Sequence, residues 1–334
     1  MTSISIGDLA QSFAMRNRNA AIKQDINRFT QELTTGRTAD MRAHLGANYA
    51  QLTDLERRSD VLKGFGIATA EAAQFSGGLQ LALGRADSLT HSLAKTLKQA
   101  ELHPQGVGLG NIAKEARTTL SGLIETLNGK TAGRYMLSGN ATDTRPLVDA
   151  EEVLDAARAA LAGATTPDEM MTRLNAWLDD PAGAVADIYR GSDTPLAGFS
   201  VSATESVAVE QTAADGALMR MIGTTAVAAL ATDSGFALSS EAQISLFTQT
   251  GVQLLSNQEG VIALQSHVGF AESRIETIMV RNEAEQTSIS IARTTLLEID
   301  TFEAATRLEE AQFQLQSLYA VTVKSSQLSL VNFL

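Results

Sequence analysis

The sequence predicts a mainly α protein: a long antiparallel, coiled-coil helical core from both chain ends, carrying a small α+β outer insert. Three observations lead there. The five prolines, Pro104, Pro146, Pro167, Pro181 and Pro195, all lie in the middle, so the first 103 and the last 139 of the 334 residues have none. The last 65 residues lack glycine as well. Proline and glycine are the strongest helix breakers, so their joint absence permits long helices. Finally, Ile275, Ile278, Asn282, Glu285, Ile289, Ala292, Leu296 and Ile299 step strictly by three and four. That is the heptad spacing of a coiled-coil seam, here with two polar breaks.

Taken in order, the first element is a helix carrying Leu9, Phe13, Ile22, Ile26, Phe29 and Leu33 at helical spacing. Leu33-Thr34-Thr35-Gly36 reads as its end, with glycine after the last periodic residue. A second long helix is expected from about residue 47 to about residue 100. Its apolar, small and polar seam positions alternate by three and four from Leu52 to Leu83. Gly77-Gly78 marks a bend or a close approach there. His103-Pro104-Gln105-Gly106 ends this helix. The Gly106, Gly108, Gly110 run that follows is a turn rather than a phosphate loop, because no strand precedes it. A third helix is expected over 111–129 and a turn or hairpin region over 131–149. Two short helices follow within 150–180, split by Gly163 to Pro167, with Thr166 and Asp168 as caps. Partial alternation over 196–211 is the best strand signal. An alanine-rich helix over about 213–231 and another starting near Ser239 lead into the heptad seam. From Phe270 to Leu334 nothing forces a turn. If fully helical, that stretch spans roughly 100 Å at about 1.5 Å per residue. Leu308, Leu315 and Leu318 continue its apolar content, and Leu328, Leu330, Phe333 and Leu334 make the extreme end apolar. An apolar terminus asks for a partner surface, because free ends otherwise fray into water.

Composition excludes several kinds of chemistry. There is no cysteine, so no disulfide, thiolate metal site or cysteine nucleophile. The four histidines, His44, His91, His103 and His267, are scattered. No nucleophile elbow, paired-histidine zinc motif or Walker loop is present. The paired carboxylates, such as Glu151-Glu152 and Asp179-Asp180, show no calcium-loop spacing. Asn140-Ala141-Thr142 is an N-glycosylation triplet by form only. The expectation is no catalytic residue, no metal and no cofactor. Net charge is −12, which argues against nucleic acid as a partner. The acid excess is local: residues 145–260 hold five basic and sixteen acidic groups. No run of 18 apolar residues is present, so no membrane span is expected. The first 30 residues, with Asp8, Arg16, Arg18, Lys23 and Asp25, do not resemble a signal-peptide core.

These readings divide the chain three ways. Residues 1–40 and 300–334 are terminal helical assembly segments. Residues 41–145 and 240–299 form a helical core domain, and residues 146–239 form the acidic outer insert. The first helix, with Arg16, Arg18, Lys23 and Arg28, can lie antiparallel to an acidic last one with Glu298, Asp300, Glu303, Glu309 and Glu310. Most of the stability would come from the apolar seam and only a modest preference from charge.

Three segments carry a family resemblance. Leu33-Thr34-Thr35-Gly36-Arg37 is similar to an amino-terminal "L-S-T-G-K/R" turn. Gly133-Arg134-Tyr135-Met136-Leu137-Ser138-Gly139-Asn140, followed by Thr142 to Pro146, resembles "G-R-Y-x-F-S-G…T…P". Ile299 to Ala305, running on to Leu328-Ser329-Leu330-Val331-Asn332-Phe333-Leu334, is the third. Together they resemble the flagellin superfamily and, within it, the hook–filament junction branch. The resemblance implies a structural component of the bacterial flagellum, exported by the flagellar type III system without a cleavable signal peptide and found outside the cell. It implies an adaptor joining hook to filament, with a filament-forming flagellin as the alternative. A cytoplasmic helical coiled-coil protein is the alternative from another class. The implied partners are further copies of the chain in a ring or polymer, a neighbouring hook-associated protein, flagellin and an export chaperone, with no membrane and no nucleic acid. The residues expected at the assembly interface are Leu9, Phe13, Ile22, Ile26, Phe29, Leu33, Leu308, Leu315, Leu318, Leu328, Leu330, Phe333 and Leu334. Ile275, Ile278, Ile289, Leu296 and Ile299 are expected in the core seam.

Overall fold

The computed structural model describes residues 6–102 and 108–331. The chain is mainly α, with two small two-stranded sheets, and it divides into two compact units: residues 1–63 with 284–334, and residues 64–283. The expected insert, 146–239, lies wholly within the second. Two very long helices run through both units, α3 (Tyr49–Gln99) and α9 (Ser240–Leu297).

The first unit contains α1 (Ile6–Thr35), the short α2 (Met41–Leu45) and α10 (Thr301–Val331), with parts of α3 and α9. Helix α1 stops where the sequence predicts. Gly36 takes a left-handed φ of 67°, and its N–H donates to the Glu32 carbonyl at 2.8 Å. A residue with a Cβ is strained in that region, and glycine is not. The uninterrupted carboxy-terminal helix that the sequence allows is not formed: α9 ends at Leu297 and α10 begins at Thr301. A tertiary contact and a local cap together hold the break. Glu298 forms an antiparallel bridge with Arg37, with Thr38 N–H donating to the Leu297 carbonyl at 3.0 Å and Ile299 N–H to the Gly36 carbonyl at 3.2 Å. The Asp300 carboxylate then accepts from the N–H groups of Phe302 (2.8 Å) and Glu303 (3.1 Å), which caps a new helix. Leu45, Leu52 and Leu297 close a small apolar cluster beneath this break.

The second unit is built around α8 (Gly216–Leu230), which follows its capping residue Asp215 rather than starting at Ala213. Nearly every α8 residue from Leu218 on is buried. A helix apolar on all sides must sit inside, and α4 (Leu109–Leu127), α5 (Ala150–Ala160) and α6 (Pro167–Asp179) pack around it. The Thr166 hydroxyl caps α6 by accepting from Glu169 N–H at 3.3 Å. The Glu169 carboxylate reaches back to Thr165 N–H at 2.8 Å, and this backbone bond holds it below the usual carboxylate range. That is the reciprocal cap Thr166 promised, shifted by one residue, and Asp168 takes no part in it. The short α7 (Ala184–Ile188) completes the helices of this unit among the described residues.

Helix α3 passes Gly77-Gly78 without a break, so the glycines serve close approach rather than a bend. A Cβ on Gly78 would stand 2.3 Å from Thr131 Oγ1. Thr131 belongs to a hairpin of β1 (Lys130–Thr131) and β2 (Arg134–Tyr135), paired Lys130 to Tyr135 and Thr131 to Arg134. Its two turn residues both have positive φ, Ala132 at 50° and Gly133 at 81°. Two-residue hairpins favour such turns, because they match the strand twist. The strand expected over 196–211 is a second hairpin, β3 (Phe199–Ser200) with β4 (Ser206–Val207).

Candidate assembly surface

Helices α1 and α10 run antiparallel and meet along heptad faces. On α1 the inward positions are Met15, Asn19, Ile22, Ile26 and Phe29; on α10 they are Ala304, Leu308, Ala311, Leu315 and Leu318. Ile22, Ala304 and Ala311 are buried and the rest half-buried. Tyr319 fixes the register: Asn19 first, and then Lys23, donates to its hydroxyl oxygen, which holds the phenol below its usual range. Thr322 Oγ1 stands 3.9 Å from Met15 Sδ. The expected residues therefore separate. Ile22, Ile26, Phe29, Leu308, Leu315 and Leu318 meet within one chain. Phe13 and Leu33 point outward, 62% and 38% exposed. The side chains of Leu9, Leu328, Leu330, Phe333 and Leu334 lie outside the described residues.

The outward surface carries apolar residues that the sequence reading did not single out. Phe302 is 82% exposed and Phe313 70%, both on the α10 face opposite its seam. Single exposed apolar residues are ordinary on a protein surface, so what marks this pair is its place on the face turned away from α1. They escaped the sequence reading because the leucines of α10 set the dominant period.

Near the Gly36 turn, a cleft of about 390 Å³ is lined by Glu32, Asp40, His44, Asp300, Glu303 and Arg307, among others. Each of its carboxylates already has a structural task. Glu32 accepts from Ala39 N–H at 2.9 Å, Asp40 from Ala43 N–H at 3.1 Å, and Glu303 from Arg307 at 2.6 Å. The cleft braces a turn. Among the described residues no cluster of three or more His, Asp or Glu could hold a metal ion, and no helix is long and apolar enough to cross a membrane.

In the two units the expected core seam is buried or half-buried. Ile275, Ile278 and Asn282 face inward in the second unit. Ile289 does so in the first, where Leu297 is more deeply buried than Leu296 or Ile299. The polar break Asn282 has a definite use: its amide donates to the Val201 carbonyl at 3.1 Å and ties the β3–β4 hairpin to α9. Glu205 of the same hairpin accepts from Arg281 at 2.9 Å and faces Arg274 at 3.5 Å. The Arg281 bond, ahead of the other contacts, holds that carboxyl below its usual range. Arg134 of the resemblance motif pairs with Glu71 and lies about 6 Å from the ring centres of Phe75 and Phe199. The motif thus joins α3, β2 and β3 within the second unit.

Residues 256–334 match the family described as the bacterial flagellin C-terminal helical region. That segment takes in the last part of α9, the capped break at Asp300 and α10. No curated protein sequence matches the chain. A solved protein of Vibrio parahaemolyticus, named as a flagellar hook-associated protein, superposes on 76% of this chain and 99% of its own, with a TM-score of 0.51 and 11% sequence identity. At that identity the likeness is one of fold.

Proposed function

We propose that the chain is a structural, non-catalytic subunit of the bacterial flagellum, and that it acts as an adaptor at the hook–filament junction of the hook-associated protein 3 type. The observation that carries the reading is the placement of the flagellin-like segment. It takes in the last part of α9, the capped break at Asp300 and α10, whose inner face packs on α1 and whose outer face presents Phe302 and Phe313 to solvent. The likeness of fold to a hook-associated protein supports the adaptor over the filament. The match to a flagellin region favours the second reading, a flagellin forming the filament body. On either reading the chain passes through the type III export channel with a chaperone and meets flagellin, a neighbouring hook-associated protein and further copies of itself outside the cell.

Immunolabelling of detached filaments separates the two. Label at one end is the adaptor outcome, and label along the length is the flagellin outcome. A deletion strain should keep hooks, shed filaments and release flagellin into the medium. Normal filaments in that strain would sink the proposal.

A further inference from the structure

The joint between the end of α4 and the chain entering α5 holds the one Asn-Gly dipeptide of the sequence, Asn128-Gly129. We propose that Asn128 is a modification site gated by folding. Its amide is shielded while residues 64–283 are folded. Once that unit opens, the amide is lost as ammonia, and the aspartyl or isoaspartyl residue left behind cannot rebuild the joint. The fold makes a separate demand on each of the two residues.

Position 128 needs an amide. Asn128 is the C-cap of α4, and its side chain pairs with the backbone of Leu147, 19 residues on. Its Nδ2 donates to the Leu147 carbonyl at 3.1 Å, and Leu147 N–H donates to its Oδ1 at 2.9 Å. Leu147 is fully buried and also bridges to Tyr189. The Asn128 amide therefore stands in for a strand backbone beside a core residue. A carboxylate can only accept, so aspartate at this position would set an oxygen against the Leu147 carbonyl. Isoaspartate would also displace the side chain by adding a methylene to the backbone.

Position 129 needs glycine. A Cβ there would stand 2.9 Å from the Thr126 carbonyl oxygen and 3.1 Å from Met136 Cε. The Gly129 carbonyl accepts from Met136 N–H at 3.3 Å, which holds the backbone in place. Together the two demands write Asn-Gly, the pair whose second nitrogen is least hindered towards the side chain before it. In the reaction the Gly129 nitrogen bonds to Asn128 Cγ, and its proton leaves with the amide nitrogen as ammonia. Water then opens the cyclic imide at either carbonyl, giving aspartate or isoaspartate.

Three features of the folded joint oppose ring closure. The Gly129 N–H is committed to the Thr126 carbonyl at 3.1 Å. Both ends of the Asn128 amide are held by Leu147. The backbone of Asn128 sits at ψ 14°, far from the geometry of a planar five-membered imide. All three are lost together when the unit unfolds, and refolding does not return the ammonia. Asn128 thus records time spent unfolded.

The test incubates full-length protein at mildly alkaline pH, with and without unfolding concentrations of guanidinium chloride, and maps its peptides by mass spectrometry. Exchange of NH2 for OH raises the mass of the peptide holding residue 128, and chromatography separates its two product forms. Asp215-Gly216 can rearrange as well, but without a change of mass. Conversion should be at least about tenfold faster in the unfolded protein, because a shielded group reacts through its open population. Asn128→Asp should lower the urea midpoint of residues 64–283. Pulse proteolysis of wild-type chains refolded after partial conversion repeats the comparison without a variant: the converted fraction should be digested at lower urea. Equal conversion rates in folded and unfolded protein overturn the shielding. An unchanged midpoint in Asn128→Asp, or digestion of both fractions at the same urea concentration, overturns the need for the amide.

Discussion

Asn282 is 6% exposed, and its amide is committed to the Val201 carbonyl at 3.1 Å. Asn282→Leu would leave that buried carbonyl unpaired. It should cost about 1–3 kcal/mol, read as a lower urea midpoint. An unchanged midpoint would mean that the bond is dispensable. Ala132 sits at φ 50°, where a Cβ is strained. Ala132→Gly should therefore raise stability by about 0.5–1 kcal/mol by the same measurement, and a loss would show the strain to be absent. Asp233 gives a pH effect. Its carboxylate accepts first from Gly235 N–H at 2.9 Å and also from Arg158 at 3.1 Å, which holds it below the usual range. A carboxyl depressed in the folded state stabilises above its unfolded-state pKa, and that contribution is lost as pH falls through the folded value. The stability gap between the wild type and Asp233→Asn should be full near neutrality and close in acid. A gap independent of pH would refute the assignment.

The α1–α10 pair is an element with little margin. Its seam buries Ile22, Ala304 and Ala311, and most of its other contacts are half-exposed. Helices in proteins draw most of their stability from packing an apolar face, so a charge in this seam is costly. Leu315→Asp should open the pair, lower helical signal at 222 nm and abolish assembly. The cooperative melt of residues 64–283 should be unchanged, because its core is centred on α8. A common loss of both transitions would show that the pair belongs to one folding unit with the rest.

For the whole molecule, contact density sets the order of events. Among the described residues, the second unit encloses α8 and a continuous apolar core, whereas the first has one three-leucine cluster and a two-helix seam. Limited proteolysis should therefore remove residues before 64 and after 283 first, with mass spectrometry of the resistant fragment as the check. Equal resistance along the chain would contradict this.

The sequence by itself determined the elements. The run without proline or glycine predicts long helices, the three-and-four steps from Ile275 to Ile299 predict the buried side of α9, and Leu33-Thr34-Thr35-Gly36 predicts the end of α1. Each depends on neighbours within a turn or two, which is why periodicity reveals it. The Asp300 cap was also written locally, as Asp-Thr-Phe-Glu, but the unbroken helical composition around it hid the signal. Only the tertiary structure decided where the polar seam residue Asn282 finds its partner, 81 residues away, and that Arg134 meets Glu71 across 63. It also decided that the α10 leucines are spent inside the chain while Phe302 and Phe313 are left to solvent. A heptad pattern states that a face will be buried, but what buries it depends on contacts between residues far apart in sequence. Those are set by packing and not by local propensity.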